Sequence, residues 1–372
     1  MQFSDIPGHE NLKEQLTAAY AKGKVAHAQL FAGRPQGSAL PLALAYASYL
    51  MCSDRTSNDS CGKCPNCLRI RKLVHPDVHL VFPKVSASDT GKYDKVLAEA
   101  LPKFRAFVHE HPFGDLESWA HAYGNDNKNL LISREDSRYI LKNVSMRSVE
   151  GGYKVLILWL PEMMNPSAAN AILKTLEEPP EKTIYLLVSY QYDLLLATIT
   201  SRTQLVVVPP HTETEIVEHL VAKGSSNEQA MHAAKLAEGS MGAALSILTE
   251  DESQAYEDFQ QWMLACWNKD LSSLVRRSED FSKTGKTNQR SNLSYTLSVI
   301  RNAVLAAGGN EPTAQSDGEK SFVLKFAERL GFQKLEKIYP LINEAVLNLD
   351  RNSNPRITHL NLSLDIIRVL NG

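Results

Sequence analysis

The sequence predicts an α/β domain with a parallel β-sheet, of the P-loop-like kind, followed by all-helical domains. Five short segments are apolar on both faces, and segments with the periodicity of amphipathic helices lie between them. Strands that are buried on both faces are typical of a parallel sheet covered by helices. After Pro209 and Pro210 the periodicity is helical and no convincing strand follows. We therefore assign the α/β domain to residues 1–210.

The predicted elements alternate along these residues. The strands are 29–32, 78–82, 155–160, 184–189 and 205–208, and the helices are 11–22, 40–50, 134–146 and 168–177. In the last of these helices we expect Asn165 to be the N-cap and Pro166 to take the first helical position. The proline pair that follows Glu178 then ends the helix, because proline cannot continue a regular element.

The alternation of predicted strands and helices is interrupted once, and after residue 210 only helices are predicted. Residues 84 to about 130 are rich in Gly, Asp, Asn and aromatic residues, and we interpret them as an insertion with some helix near 93–109. We predict a small helical lid domain over 211–249 and a helical collar or oligomerisation domain over 250–372. The polar segment 306–320 is predicted to be a flexible loop between later helices.

Composition narrows the class of protein. The chain has 372 residues, 43% of them hydrophobic, and a formal net charge of −2. That size allows two or three domains, and the near-neutral charge excludes a whole-chain basic field for nucleic acid. The N-terminus lacks the basic and apolar regions of a signal peptide, and no run of about 18 apolar residues suggests a membrane span. We therefore expect a cytoplasmic protein without membrane contact.

Four of the five cysteines form a cluster that is typical of a metal site. Cys52, Cys61, Cys64 and Cys67 have the spacing C-x8-C-x2-C-x2-C. Four thiolates complete a tetrahedral Zn²⁺ site and leave no open position, so the predicted zinc is structural. An iron–sulfur cluster and disulfide pairing remain the alternatives, although the ending typical of the bacterial iron–sulfur motif is missing. Cys266 lies in an apolar segment and is predicted to be a buried thiol.

The turn after the first predicted strand has the outline of a phosphate-binding loop without its chemistry. That loop follows the pattern G-x-x-x-x-G-K-[ST], in which the lysine contacts phosphates and the hydroxyl reaches Mg²⁺. Gly33 fits the first position, but the last three positions are Ser38, Ala39 and Leu40. Considered alone, the segment would be an ordinary strand–turn–helix. Tight binding of Mg·ATP is not expected here.

The end of the third predicted strand also lacks the residues of a nucleotide site. A P-loop ATPase would end this strand in Asp-Glu to hold Mg²⁺ and orient the attacking water. Trp159 and Leu160 stand at these positions, so both carboxylates are absent. Glu162 is close by in sequence, and we expect it to face solvent rather than act as a displaced catalytic acid. The two substitutions together indicate a degenerate nucleotide site.

Several strings in the chain carry a family resemblance. They are "HAQLFAG", "NPSAANAILKTLEEPPEKTIYLLVS" and "LLLATITSRTQ", together with the four-cysteine spacing. In combination they resemble the bacterial clamp-loader ATPase family, the AAA+ subunits that place the sliding clamp of DNA polymerase III on primed DNA. The resemblance covers roughly residues 3–83 and 132–248. The insertion and the C-terminal third match only in their helical character.

The resemblance assigns a role to the motif that contains Ser201 and Arg202. In the family, a Ser-Arg-Cys motif at this place supplies an arginine finger to the ATP of a neighbouring subunit, and Thr203 replaces the cysteine here. Such an arginine neutralises charge on the transferred phosphoryl group. The alternative is a surface arginine paired with a carboxylate. Gly242 stands where the family often has another arginine that senses the subunit's own nucleotide.

These features imply a non-hydrolysing clamp-loader subunit that binds no ATP in its own site and has no active site of its own. Its implied partners are the gamma/tau-type ATPase subunits and the delta subunit, with the sliding clamp and primed DNA contacted through the complex. It would then be a subunit of a DNA-directed DNA polymerase (nucleotidyltransferase) holoenzyme. Two alternatives stay open: an ATP-hydrolysing gamma/tau-type subunit, and a zinc-bearing module that binds nucleic acid or protein.

Overall fold

The computed structural model describes residues 1–86, 90–124, 130–249, 252–284, 286–309, 317–350 and 353–371. The chain divides into two compact units, Met1–Ala244 and Leu245–Gly372. The first unit contains the β-sheet, and the regular elements described in the second are helices. This arrangement confirms the predicted fold class. The finer division into an α/β domain, a lid and a collar stays a prediction.

The first unit is built on a five-stranded parallel sheet with the strand order β2-β3-β4-β1-β5. The strands are β1 (Ala28–Ala32), β2 (Val78–Val81), β3 (Lys154–Trp159), β4 (Thr183–Ser189) and β5 (Gln204–Val207). Each predicted strand is confirmed to within one residue at either end. Phe31 of β1 lies opposite Val188 of β4 on one side and Val206 of β5 on the other. The carboxyl ends of the strands share one edge of the sheet, where ligands of open α/β folds bind.

Eleven α-helices are described between the start of the chain and residue 249, and the four helices predicted in the α/β domain are among them. They are α1 (Glu10–Ala21), α2 (Ala39–Met51), α3 (Pro65–Arg71), α4 (Thr90–Glu110), α5 (Leu116–Tyr123), α6 (Arg134–Ser145), α7 (Pro166–Glu177), α8 (Ala197–Thr200), α9 (Glu213–Ala222), α10 (Asn227–Ala237) and α11 (Met241–Thr249). The predicted cap of α7 is confirmed, because Oδ1 of Asn165 accepts a hydrogen bond from the Ala168 amide at 2.8 Å.

Apolar side chains from β1 to β4 pack on both faces of the sheet, whereas β5, contrary to its predicted burial on both faces, buries only the face that carries Val206. Phe31 and Val188 pack in one core with α2, and every residue of α2 is buried. Leu30 and Leu187, the neighbours of these two residues in sequence, pack in the other core with α6 and α7. Successive side chains of a strand point to opposite faces, so a strand buried on both sides must be apolar throughout. This packing explains why the strands are apolar on both faces, which is the pattern that predicted a parallel sheet.

The insertion is helical and is anchored at its base. It contributes α4 and α5, which confirms helix near 93–109, while residues 87–89 and 125–129 lie outside the described residues. Lys84 forms an antiparallel bridge with Leu131, so the two ends of the insertion lie side by side. The ammonium of Lys84 also pairs with Asp136, and both side chains are at most 3% exposed. The hydroxyl of Tyr93 donates to the same carboxylate at 3.0 Å, which satisfies a further acceptor site.

The helices of the second unit are α12 (Glu252–Trp267), α13 (Leu271–Lys283), α14 (Lys286–Ala307), α15 (Asp317–Asp350) and α16 (Pro355–Asn371). Gly331 has φ 71°, so α15 consists of two helical stretches joined by a kink. The predicted loop 306–320 is too long, because α14 runs to Ala307 and α15 begins at Asp317; residues 310–316 between them lie outside the described residues. In the described part of the chain, no helix has both the length and the apolar character that crossing a membrane requires.

A buried polar network lies within the apolar core of the second unit. Nδ1 of His359 lies 3.0 Å from Oγ of Ser278, and the imidazole stacks on the ring of Trp262 at 4.9 Å. Nε1 of Trp262 donates to Oγ of Ser363 at 2.9 Å. Cys266, predicted to be a buried thiol, is 0% exposed in the same core. Hydrogen bonds are what make the burial of these polar groups tolerable.

Candidate functional site: a degenerate nucleotide cleft, an edge arginine and a cysteine cluster

The turn after β1 leads into the N-terminus of α2, as a phosphate-binding loop would. Gly33 follows the last residue of β1, and Ser38 is the N-cap of α2. The exposed fractions of Ser38, Ala39 and Leu40 are 1%, 0% and 1%. Ala39 and Leu40 belong to the core that contains α2 and carry no polar side-chain atom. Neither position therefore offers a group that would contact a phosphate or a magnesium ion.

A buried histidine covers the start of α2. Nε2 of His211 lies 2.7 Å from Oγ of Ser38, and the imidazole is 5% exposed. The ring centroids of His211 and His9 are 4.5 Å apart. Burial, reinforced by the neighbouring His9, lowers the pKa of His211 to about 4. The ring is therefore neutral at pH 7, and the helix end that would bind phosphate is covered by an imidazole instead.

An aromatic core stands where an ATPase would have its magnesium-binding carboxylates. Trp159 is the last residue of β3, and Trp159 and Leu160 are only 1% and 2% exposed. The indole ring lies 5.5 Å from the ring of Phe104 and 5.9 Å from that of Phe107, both on α4 of the insertion. Nε1 of Trp159 donates to the Tyr190 hydroxyl at 3.2 Å. The insertion thus supplies the packing partners of Trp159.

Our expectation that Glu162 faces solvent is wrong. Its Oε1 accepts hydrogen bonds from the backbone amides of Tyr190 and Gln191, at 2.9 and 3.3 Å. Oε2 is buried and has no hydrogen-bond partner among the described residues. Free amides at the end of β4 attract the carboxylate inward. Glu162 therefore connects the turn after β3 to the turn after β4.

The helices of the predicted lid contact the degenerate loop at Gly242. The amide of Gly242 donates to the carbonyl of Gln36 at 2.9 Å. A Cβ atom added to Gly242 would lie 2.8 Å from Cβ of Gln36 and 2.5 Å from the carbonyl oxygen of Phe113. These separations leave no room for a side chain. The sequence and the packing therefore leave no arginine at this position.

Arg202 lies at an edge of the sheet, in the turn between α8 and β5. Its Nη2 and Nε donate to Oε2 of Glu177 at 3.0 and 3.2 Å, and its Nη1 donates to the carbonyl of Thr198 at 3.0 Å. The side chain of Arg202 is 31% exposed and that of Glu177 is 59% exposed. Ser201 is exposed beside it, with its hydroxyl 3.4 Å from the Thr198 carbonyl. In the isolated chain the arginine is paired with a carboxylate, as the surface alternative expects.

The edge that carries Arg202 also exposes apolar side chains. β5 is the outermost strand beside β1. Leu205 and Val207 are 47% and 62% exposed, and they share one face of the strand because side chains alternate. Exposed apolar groups next to a charged residue are typical of surfaces that contact another protein.

The four clustered cysteines converge in space. Their sulfur atoms all lie within 4.8 Å of one another, and those of Cys52 and Cys64 are 3.9 Å apart. Tetrahedral zinc with Zn–S bonds of about 2.3 Å places its sulfurs about 3.8 Å apart. Among the described residues the cysteines form no disulfide, so this structure does not support the disulfide alternative. The four residues could therefore hold one metal ion.

Backbone and electrostatic effects in the cluster fit metal binding. Amides of Cys61 and Cys64 donate to the sulfurs of Cys52 and Cys61, both at 3.3 Å. Burial raises the pKa of Cys52 and of Cys67. Burial also acts against ionisation of Cys64, but hydrogen bonds from Ser53 and from the Cys67 amide lower its pKa to about 6. A bound cation would let all four sulfurs ionise together, because it offsets the cost of burying thiolates.

The cysteine segment is anchored to the rest of the first unit. The carboxylate of Asp59 accepts the amides of Phe3 and Ser4, both at 3.0 Å. The guanidinium of Arg55 caps the end of α2, with Nε donating to the Tyr49 carbonyl at 2.9 Å. Arg55 also lies over the ring of Tyr20 at 4.3 Å. A metal in this segment would thus fix the N-terminal turn and the end of α2.

Two sets of contacts in this region were not among the expectations from sequence. Nothing in the pattern after the proline pair signals that His211 returns to Ser38, because the contact joins residues 173 positions apart. The aromatic packing had a signal, since Phe104 and Phe107 are three residues apart on one helix face. That spacing predicts a buried face, but it does not say that Trp159 is the partner.

Comparison with known proteins identifies the family. The family described as "DNA polymerase III, delta subunit" matches residues 8–212, which is more than half of the chain. The match includes β1 to β5, the cysteine cluster and Arg202. It therefore spans the degenerate loop, the end of β3, Arg202 and the cysteine cluster, whereas Gly242 lies beyond it.

Individual relatives agree with this family. The chain is 28% identical over 249 residues to DNA polymerase III subunit delta' of Escherichia coli, covering 67% of this chain and 62% of the relative. It is 30% identical over 190 residues to subunit delta' of Yersinia pestis, covering 50% and 43%. It is 26% identical over 218 residues to subunit tau/gamma of Haemophilus influenzae, covering 59% and 25%. The matches thus span less than two thirds of these relatives' own length.

A solved structure is also similar over most of the chain. It is a gamma subunit-related protein of DNA polymerase III from Thermotoga maritima, with 16% identity and a TM-score of 0.33. The similarity covers 97% of this chain and 100% of the other. With so low a score it adds nothing to the argument for the fold, which rests on the sheet itself.

Proposed function

Since this chain belongs to the family described as DNA polymerase III, delta subunit, we propose that it is a delta-prime-like clamp-loader subunit that does not hydrolyse ATP. It supports replication by helping to load the sliding clamp onto primed DNA. Its partners are gamma/tau-type ATPase subunits and a delta subunit, and it contacts clamp and DNA through the complex. It is a cytoplasmic subunit of the DNA polymerase holoenzyme.

One observation carries the non-hydrolysing role. The positions that would hold a lysine, a hydroxyl and two carboxylates are Ala39, Leu40, Trp159 and Leu160, and all four are at most 2% exposed. Charge-assisted hydrogen bonds are worth about 1.5–3 kcal/mol each, and several are lost together here. Magnesium also has no protein ligand at these positions. The remaining scaffold then serves for packing against neighbours rather than for turnover.

The proposed positive contribution is Arg202. Its guanidinium lies at the sheet edge formed by β5, the strand that carries the exposed side chains of Leu205 and Val207. Its present partner, Glu177, is 59% exposed. Exposed ion pairs are worth only about 0–1 kcal/mol, so a phosphate of a neighbour can replace Glu177 at little cost. An arginine supplied in trans accelerates phosphoryl transfer by about 10³–10⁵. Ser201 lies at the same surface.

The proposed cofactor is one structural Zn²⁺ held by Cys52, Cys61, Cys64 and Cys67. Four cysteine ligands leave no open position for catalysis, and the convergence of the sulfurs within 4.8 Å supports a single ion. When bound, the metal neutralises the thiolates and cross-links the segment. The chain's own contribution is to hold the N-terminal turn through Asp59 and the end of α2 through Arg55.

The arginine is tested in the reconstituted loader. Arg202→Ala is compared with Arg138→Ala, because Arg138 is also an arginine in an exposed ion pair, with Glu135 on α6. We expect Arg202→Ala to lower DNA-stimulated ATP turnover at the adjoining site by at least about 100-fold. Arg138→Ala should leave it unchanged, and both loaders should assemble equally. Wild-type turnover with Arg202→Ala would remove the finger from the proposal.

The competing functions are tested on the isolated chain. An ATP-hydrolysing gamma/tau-type subunit would bind a fluorescent Mg·ATP analogue with a Kd near micromolar, whereas we expect no saturation below about 1 mM. A zinc-bearing nucleic-acid or protein module would not co-purify with clamp-loader ATPases. Stable association with gamma/tau-type subunits, without nucleotide binding by this chain, is the expected result.

A further inference from the structure

A short segment of the insertion crosses the degenerate nucleotide cleft. It is Phe113–Asp115, between α4 and α5, and we call it the crossing segment. On the sheet side, the carbonyl of Gly114 accepts a hydrogen bond from the Tyr190 hydroxyl at 3.2 Å. The same hydroxyl accepts from Nε1 of Trp159 at 3.2 Å. The crossing segment is therefore attached to the carboxyl ends of β3 and β4.

On the lid side, the same segment packs against α9 and the start of α11. Phe113 is 4% exposed, and its ring lies 6.4 Å from that of His211 and 6.3 Å from that of His219. Its carbonyl oxygen lies so near Gly242 that a Cβ atom there would come within 2.5 Å. Phe113 thus contacts both the imidazole of His211, at the start of α2, and the start of α11 at Gly242.

The lid is in turn tied to the degenerate loop. The carbonyl of Gln36 accepts the Gly242 amide at 2.9 Å and the Ser240 hydroxyl at 3.3 Å. The guanidinium of Arg34 donates to the Glu238 carbonyl. Because Gly242 adjoins both Gln36 and Phe113, the loop, the lid and the insertion meet at one point.

We propose that the crossing segment is a built-in occupant of the nucleotide cleft, which excludes nucleotide by filling the cleft and clamps the lid shut. The proposal concerns the same cleft as the proposed function and rests on it. It adds a cause that the missing lysine and carboxylates do not supply, because a cleft without these groups could still stand open. It also gives the insertion a role.

The physical reason is the geometry of such clefts. Ligands of open α/β folds bind beyond the carboxyl ends of the strands, with phosphate at the N-terminus of the following helix. Here Trp159 and Tyr190 lie at the carboxyl ends of β3 and β4. His211 lies at the N-terminus of α2, and the ring of Phe113 packs against its imidazole. Phe113 is 4% exposed, so a triphosphate could enter only by displacing a buried aromatic side chain. Nucleotide exclusion therefore does not depend on one lost contact.

Hydrogen exchange on the full chain provides the first test. Phe113→Ala removes the ring that packs under the lid, and Phe281→Ala is the matched control, a phenylalanine in the second unit that is 8% exposed. We expect peptides that span residues 33–42 to exchange at least about tenfold faster in Phe113→Ala and at the wild-type rate in Phe281→Ala. Unchanged exchange at 33–42 in Phe113→Ala overturns the proposal.

Nucleotide binding provides the second test, with a fluorescent Mg·ATP analogue as the probe. Restoring the loop chemistry with Ala39→Lys and Leu40→Thr should give no saturable binding while Phe113 is present. Adding Phe113→Ala should then give saturable binding, with a Kd at least about tenfold below 1 mM. Tight binding by the restored loop with Phe113 intact overturns this inference alone, whereas tight binding by the wild-type chain overturns the proposed function. If the restored variants do not fold, the exchange measurement decides.

Discussion

Arg202 and Glu177 form an ion pair that joins the turn before β5 to the last residue of α7, with Nη2 3.0 Å from Oε2. The two residues are 25 positions apart, and each belongs to one of the strings that carry the family resemblance. The carboxylate holds the guanidinium at the sheet edge in the isolated chain. If a neighbour's phosphate is the working partner, Glu177 is the group that it displaces.

Glu177→Gln should therefore leave the loader active. The amide still accepts a hydrogen bond but no longer competes as a charge, so we expect DNA-stimulated ATP turnover within about threefold of wild type. The free energy of unfolding should change by less than about 1 kcal/mol, because the pair is exposed. Glu135→Gln, which breaks the Arg138 pair, is the control. A loss as large as that of Arg202→Ala would mean that Glu177 must hold the arginine in its working position.

Metal removal should destabilise the first unit. We expect one zinc per chain by elemental analysis, and Cys61→Ser should abolish it and lower the Tm by about 5–15 °C. The loss follows because Asp59 and Arg55 no longer sit on a cross-linked segment. Cys266→Ala, which removes a thiol outside the cluster, should keep the full metal content. Zinc at the wild-type level in Cys61→Ser would contradict the four-cysteine site.

Gly242→Ala tests how tightly the lid is closed. The added methyl group would meet the Phe113 carbonyl at 2.5 Å and Cβ of Gln36 at 2.8 Å. Overpacking of this kind costs about 1–3 kcal/mol, which urea unfolding would measure. Gly152→Ala is the control, since an added Cβ there meets nothing within 4 Å. Equal stability of the two variants would show that the lid is free to move away.

The second unit should lose stability in mild acid because of His359. Burial lowers its pKa to about 4, from 6.5, with a smaller effect of Arg277. Between these values the unfolded chain binds a proton that the folded chain does not, so stability falls as the pH falls. From pH 7 to 5 this amounts to about 2 kcal/mol.

His359→Gln should abolish this loss of stability between pH 7 and pH 5. The control variant His121→Gln, at an exposed histidine, should keep it. Urea unfolding at pH 7 and pH 5, followed by tryptophan fluorescence, measures the difference. Identical slopes for wild type and His359→Gln would place the imidazole in water rather than in the core.

The fold was largely predictable because its signals are local. Strands that are apolar on both faces, and the cap at Asn165, depend on residues within a few positions of one another. The insertion was recognised by composition, and its helix was found, but its contacts with Trp159 were not. Those contacts join residues about 55 positions apart, and nothing in a single sequence pairs them.

The expectation for Glu162 failed for a related reason. Its position after a strand suggests exposure, but the amides that attract it lie 28 and 29 residues further along the chain. Local pattern cannot show which distant amides lack partners. His211 at Ser38 is a second case, since nothing around the histidine announces that it will be buried.

The sequence by itself determined the parallel α/β architecture, the four-cysteine cluster, and the absence of the lysine and carboxylates that a nucleotide site needs, because each is a matter of which residues are present and how they are spaced. Only the tertiary structure decided that the cleft is filled by Phe113, Trp159 and His211, and that Arg202 rests on Glu177. The physical reason is that burial and pairing between distant residues follow from how the helices pack on the sheet, which local propensity does not encode.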